Sequence, residues 1–306
     1  VLRIDLILPG NYGYPKRVSA LRAYIDLMKL RVVELLIITT LPAMVLAEKG
    51  LPSFGLVAAT LVGGTLAAGA SNAFNMVIEA DTDKLMVRTS KRPIVTGAIS
   101  RKHATLFATA ISILSLAIFA IFTTALATLL TALAIFYYVV IYTILLKPNT
   151  SQNIVWGGAA GCMPVLIGWA AVTGSLTWVP VAFFMVVFFW TPPHFWALAI
   201  KYKDDYSAAG IPMLPSVSSQ SSVIGQMWFH TIAMVISSTA MIQLAELPVW
   251  VLCTTVLLGA VFTFQLFALK ENSDNYNKVA AGIFHWSITY LSLLSILLVV
   301  AQLLSA

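Results

Sequence analysis

Charge is scarce in this sequence. Only 10% of its 306 residues are Asp, Glu, Lys or Arg, while 59% are hydrophobic. Soluble domains carry about a quarter charged residues, so a water-surfaced globule is excluded. Cysteine is scarcer still. Cys162 and Cys253 are the only two, too few for a disulfide framework or a cysteine-based zinc site. Both fall in apolar stretches, where a small buried role is expected. Histidine is limited to four residues and acid to twelve, so any cluster of them stands out against the rest of the chain.

Apolar length is what the chain does have. Runs able to cross a hydrocarbon core of about 30 Å with roughly 20 residues lie near 32–47, 54–77, 104–122, 125–146, 153–172, 177–200, 223–243, 247–269 and 279–303. The expectation is an all-α polytopic membrane protein with nine transmembrane helices in one bundle. A polar segment, 1–31, precedes a single domain at 32–306, and 24–31 reads as a short interfacial helix. The distribution of Lys and Arg tests this count. Six lie at or before Arg31, six in 78–102, one in 147–152, and two each in 201–222 and 270–278. That is seventeen of eighteen on one face, with Lys49 alone on the other. The reading puts the N-terminus in the cytoplasm and the C-terminus outside, and makes the net charge of +6 a topology signal rather than a sign of nucleic-acid binding. Residues 1–31 show neither a cleavable signal pattern nor an Arg- and Ser-rich transit segment, which favours a bacterial inner membrane.

The second apolar run leads into NMVIEADTDKLMVRTSKRP, residues 75–93. If its helix continues, Asn75, Glu79 and Asp83 stack at four-residue intervals on one face, with Asp81 turned away. Oxygen ligands in a row suit a hard divalent ion. Arg88 and Arg92 repeat the interval before Pro93 ends the helical run, and guanidinium groups suit phosphate oxygens. A charged loop between membrane helices is commonly just solvated, but a second such loop follows the sixth run. It contains Lys201, Lys203, Asp204 and Asp205 on the same predicted face. Two acidic loops across one mouth can hold a metal-bound diphosphate. Tyr137, Tyr138 and Tyr142 read as an interfacial belt, and Gly157, Gly158, Gly161 and Pro164 as a thinned helix open to another surface.

The pattern N-x3-E-x3-D-x4-R-T-x2-R-P in 75–93 resembles the first acidic motif of the UbiA-type intramembrane prenyltransferases. Met76 and Glu79 stand where that family commonly has Asp. The stretches 153–174 and 191–215 are similar to those of the family members that farnesylate haem. The resemblance implies a bundle around a central cavity opening to the cytoplasm, with catalytic loops at 78–102 and 201–222. It implies Mg²⁺ on Asn75, Glu79, Asp83, Asp204 and Asp205, and Arg88, Arg92 and Lys201 on the diphosphate, with Lys29 and Arg31 as further diphosphate ligands. Farnesyl diphosphate would be the donor and haem b the acceptor, giving haem O and diphosphate. The implied partners are membrane lipid and a downstream haem A synthase, with no nucleic acid.

The residues add a separate reason for a metalloporphyrin. His194, His230 and His285 each lie six or seven residues inside a span, about 10 Å deep, and ionisable groups at such depth face a bundle interior. A shared haem pocket is expected. His194, flanked by Phe195 and Trp196, is the first candidate ligand, and His103 is expected to be solvated. The rival readings are prenylation of an aromatic or quinone precursor, a secondary transporter, and a non-catalytic assembly factor.

Overall fold

The computed structural model describes residues 19–305, with the side chains of 31–36 outside that description. Arg31, expected at the diphosphate, is among those left outside. Among the described residues every regular element is helical. In chain order these are α1 (Ala20–Met28), α2 (Leu30–Glu48), α3 (Phe54–Ile78), α4 (Ala80–Asp83), α5 (Arg101–Phe122), α6 (Ala125–Phe136), α7 (Asn153–Gly157), α8 (Ala159–Thr173), α9 (Trp178–Lys201), α10 (Lys203–Ala208), α11 (Leu214–Val217), α12 (Gln220–Leu244), α13 (Val249–Phe267) and α14 (Tyr276–Ser305). A π-helical segment, Tyr137–Leu146, continues α6.

Eight helices among the described residues are long and apolar enough to cross a membrane, counting α6 with its π segment and α7 with α8. The first expected run falls in α2, of which Ile37–Glu48 is the apolar part among the described side chains. Helix starts follow local chemistry. Ser53, Ser100, Thr124 and Ser219 cap α3, α5, α6 and α12, each side chain accepting from the amide three residues on, which satisfies a donor the helix itself leaves unpaired.

Neighbouring helices pack in a closed ring, α2–α3–α5–α6–α8–α9–α12–α13–α14 and back to α2, with further contact between α2 and α8 and between α9 and α14. The ring's two sides differ. Around α9, α12, α13 and α14 the interior is a continuous apolar core that includes Met227, Met234, Met241, Phe262, Tyr290, Leu294 and Leu298. Between α2, α3, α6, α8 and α9 lies a cavity of about 360 Å³. Small residues explain how α3 can border it. On one face Gly63 lies against the Phe119 ring of α5, where a Cβ would collide, and Ser115 Oγ donates to Gly63 O at 2.7 Å. Such close backbone approach needs a residue with almost no side chain. On the cavity face, a Cβ at Gly64 or at Gly161 of α8 would meet no atom within 4 Å.

Of the cysteines, Cys162 is buried as expected, but Cys253 is exposed on α13. An outward position on a membrane helix gives a small apolar side chain lipid to face, so apolarity alone did not require burial.

Candidate functional site

Asn75, Glu79 and Asp83 do form a ladder, although not on one unbroken helix. Helix α3 ends at Ile78 and α4 begins at Ala80, with Glu79 between them at φ −87°, ψ 3°. The backbone bonds survive the join: Glu79 N donates to Asn75 O at 2.9 Å and Asp83 N to Glu79 O at 2.8 Å. All three side chains are buried. Asp81 points outward, paired with Arg101 at 2.6 Å and Lys84 at 2.9 Å. Hydrogen bonds from Arg101 and then Lys84 hold its carboxyl down at about 2.

Each of the three inward side chains faces a cation. Lys29 Nζ donates to Asn75 Oδ1 at 3.0 Å. Lys147 Nζ lies 2.5 Å from Glu79 Oε1, and Arg92 Nη1 is 2.5 Å from Asp83 Oδ2 and 3.6 Å from Glu79 Oε2. Burial raises the Glu79 carboxyl, but the charge and hydrogen bond of Lys147, with Lys29 and Arg92, outweigh it and hold the group below the ordinary carboxylate range. Burial also pulls the Lys147 ammonium down, with Glu79 opposing. Lys29 is drawn well below the ordinary lysine range, first by burial and then by Arg92. These cations are crowded and dehydrated, a condition that an arriving polyanion relieves.

The second loop reaches the same place. Asp205 Oδ2 accepts from the Arg88 backbone N–H at 3.2 Å, and Arg88 Nη2 donates to the Tyr206 hydroxyl at 3.4 Å. The Arg88 guanidinium also lies over the Tyr202 and Tyr206 rings, 5.9 and 5.7 Å from their centroids. Residues 84–100 form turns rather than helix, so Arg88 and Arg92 do not share a helix face as their interval implied. One reaches across to Asp205 and Tyr206, the other back to Asp83. Asp204 is exposed and has no hydrogen bond or ion pair among the described residues. Lys201 is also exposed, 5.5 Å from the Tyr202 ring centroid, and does not line the cavity.

Four cations, Lys29, Arg88, Arg92 and Lys147, line the cavity together with Asn75, Tyr138, Tyr142 and Tyr206. The fit to a hard cation rests on two atoms: Glu79 Oε2 and Asp83 Oδ1 are buried and have no hydrogen-bond partner. Buried carboxylate oxygens left unpaired are costly, and oxygen donors of this kind suit Mg²⁺. Among the described residues no three acidic, His or Cys side chains are gathered closely enough to hold an ion as they stand, and Glu79 and Asp83 are instead paired with Lys147 and Arg92.

Lys147 is the residue the sequence reading missed, and Tyr138 and Tyr142 are the ones it misplaced. The π segment is the reason. Its wider turn puts Tyr138, the pair Tyr142 and Thr143, and Lys147, at successive intervals of four or five residues, towards α3. Thr143 Oγ1 accepts from Asn75 Nδ2 at 3.3 Å, and the Tyr138 hydroxyl donates to Asn72 Oδ1 at 3.3 Å. Tyr138 and Tyr142 are therefore cavity wall, not interfacial belt. Their four-residue interval, with a lysine five residues on, was the available signal. Gly157 accommodates the Tyr142 ring, where a Cβ would overlap it.

The three histidines need correction. None lines the cavity. His194 is buried between the Trp190 and Phe284 rings, with centroids at 4.3 and 4.7 Å, and its Nδ1 lies 2.7 Å from Ser287 Oγ. Both ring faces are covered by aromatic side chains. His230 Nδ1 bonds Gln226 O at 2.8 Å. His285 is exposed, and its Nδ1 bonds Ala281 O at 2.7 Å. Equal depth placed them at one level but not on one wall, because depth says nothing about which way a helix face turns. Trp196 is fully buried beside His230, at 5.3 Å between centroids, whereas Trp190 and Phe195 do reach the cavity. His103 is exposed as expected, near Ser100.

Comparison with known proteins agrees with this architecture. The UbiA prenyltransferase family model matches residues 36–288. A protoheme IX farnesyltransferase of Renibacterium salmoninarum is 47% identical over 295 residues, spanning 95% of this chain and 92% of its own. One from Kineococcus radiotolerans is 45% identical over 309 residues, spanning 96% and 91%. Among solved structures, a digeranylgeranylglyceryl phosphate synthase superposes with a TM-score of 0.75 at 14% identity, covering 94% of this chain and 99% of that one. A UbiA homologue from Archaeoglobus fulgidus bound to DMAPP and Mg²⁺ gives 0.63 at 17% identity, covering 88% and 99%. With the family model spanning most of its length and relatives of near-half identity end to end, this multi-pass membrane chain belongs to the UbiA prenyltransferase family.

Proposed function

We propose that the chain transfers the farnesyl group of farnesyl diphosphate to a vinyl group of haem b, with addition of water, yielding haem O and diphosphate. The observation that carries this reading is the meeting of two distant loops, through Asp205 and Arg88, at the charged mouth of an apolar cavity. The choice of haem as acceptor is supported by relatives named protoheme IX farnesyltransferase at 45–47% identity.

Asn75, Glu79, Asp83 and Asp205 would hold Mg²⁺. When bound, it neutralises charge on the departing diphosphate. Lys29, Arg88, Arg92 and Lys147 bind the phosphate oxygens. Bringing Lys147 and Arg92 onto the phosphates releases Glu79 and Asp83 from their ion pairs. The cavity below is walled by Gly64, Ala67, Ala68, Ala160, Ile135 and Met163. These walls keep water from the allylic cation until the vinyl carbon has attacked. The Tyr138 and Tyr142 rings, 5.3 Å apart, offer π faces to positive charge developing beside the diphosphate. Trp190 and Phe195 form the aromatic part of the α9 wall and would receive the porphyrin.

On this reading the N-terminus is cytoplasmic and the C-terminus outside, in a bacterial inner membrane. Loops 78–102 and 201–222 serve the single domain at 32–306, the cavity mouth opens to the cytoplasm, and the product passes to a haem A synthase. Incubating the purified protein with haem b, farnesyl diphosphate and Mg²⁺, then weighing the extracted haem, tests the assignment. A gain of one farnesyl group and one hydroxyl is expected, the second proton of the water being released. An unchanged porphyrin alongside prenylation of a hydroxybenzoate would move the assignment to the quinone-precursor branch, and uptake into proteoliposomes without covalent product would make it a transporter.

A further inference from the structure

The cavity face of α3 carries a regular series, Thr60, Gly64, Ala68 and Asn72, and all four line the cavity. Residues four apart stack along one side of a helix, each one turn or about 5.4 to 6 Å beyond the last. An isoprene unit contributes four main-chain carbons. At about 1.25 Å of advance per single bond of roughly 1.5 Å, that is about 5 Å. One isoprene unit therefore matches one step of the series.

Measured from Asn72, three residues deeper than the Asn75 that Lys29 holds and so where the first carbon of the chain would lie below its diphosphate, Ala68 lies about 6 Å deep, Gly64 about 12 Å and Thr60 about 18 Å. A geranyl chain extends about 10 Å and ends short of Gly64. A farnesyl chain extends about 15 Å, passes Gly64 and ends short of Thr60. At Gly64 the wall is missing, since a Cβ there would meet no atom within 4 Å. At Thr60 the wall returns as a branched side chain that is buried, with Oγ1 lacking any hydrogen-bond partner. Gly63, one residue away, is packed against Phe119, so packing between helices accounts for that glycine and not for Gly64.

We propose that α3 gauges the length of the prenyl donor, with Gly64 admitting the third isoprene unit and Thr60 closing the space beyond it. This rests on the reading that the cavity receives the donor's hydrocarbon chain. The gauge makes a fifteen-carbon donor the best fit, and it places the selection on residues far from the phosphates.

The test compares kcat/KM for geranyl, farnesyl and geranylgeranyl diphosphate, with haem b as acceptor, in wild type, G64L and T60A. G64L should lose about 100-fold with farnesyl diphosphate, the scale of a pocket closed against part of an apolar chain, while staying within about threefold of wild type with geranyl diphosphate. T60A, which removes a hydroxyl that has no partner, should raise the geranylgeranyl-to-farnesyl ratio about tenfold. Thermal unfolding should stay within a few degrees for both, since Leu is a better helix former than Gly. Equal loss of geranyl and farnesyl activity in G64L, or an unmoved ratio in T60A, overturns the gauge and leaves the proposed reaction standing. A wild-type protein inert to all three donors overturns that reaction and the gauge with it.

Discussion

The two sides of the helix ring are made from similar apolar material and do different things. Between α2, α3, α6, α8 and α9 the walls are rich in Gly, Ala and Thr, set among larger residues such as Ile135, Met163 and Trp190, and the space the small ones leave unfilled becomes a cavity beneath four cations and an oxygen ladder. Around α9, α12, α13 and α14, Met, Phe, Tyr and Leu side chains fill the interior, and the buried histidines are held by neighbours instead of presented to a ligand. Side-chain volume, more than hydrophobicity, separates the working half from the supporting half. Helix α9 belongs to both, since Trp190 touches the cavity and stacks on His194 behind it.

The sharpest way to break this comparison is at the ladder. D83N keeps the shape of a fully buried side chain but removes the charge that Arg92 faces and that the proposed metal ion would share, so turnover should fall about 1000-fold, at the upper end for loss of one electrostatic group at a reacting centre. Steady-state product mass checks it, and a loss under tenfold would remove Asp83 from the site. Next, K147M leaves Glu79 with only the longer contact to Arg92. Turnover should drop about 100-fold, and stability should fall by about 3 kcal/mol because a buried carboxylate has lost its closest partner, read as a shifted thermal unfolding midpoint. H194A sits at the boundary between the halves. Removing the ring behind Trp190 should raise the KM for haem about tenfold and leave that for farnesyl diphosphate within about twofold. Smallest of all, D204A and H285A should each stay within about twofold of wild type in activity, with stability changes below about 0.5 kcal/mol, as expected for exposed side chains away from any special feature.

Most of the scaffold could be read from the sequence because membrane spans are specified by local apolar length. The ladder could be read as well, because a four-residue interval on a helix is local geometry. Its partners could not. Lys147 looked like one loop charge among several, since nothing short-range says that a π segment will rotate it inward against a residue 68 positions earlier. The histidines failed for the opposite reason. Depth in the membrane follows from counting residues, but the direction a side chain faces depends on which helices become neighbours, and that is set by packing across the whole ring. Arg88 and Arg92 were separated by the same limit, because Pro93 and the turns before it prevent the helix that would have aligned them.

The central claim is that the prenyl chain lies in the open half, with its diphosphate among Lys29, Arg88, Arg92 and Lys147. Photolabelling with a farnesyl diphosphate analogue bearing a diazirine on its terminal isoprene unit, in the presence of Mg²⁺, tests it most directly. Label recovered on α3, α6 and α8, near Gly64, Ile135 and Met163, and lost when unlabelled farnesyl diphosphate competes, is the result expected. Competed label confined to α12 and α13 would contradict the account.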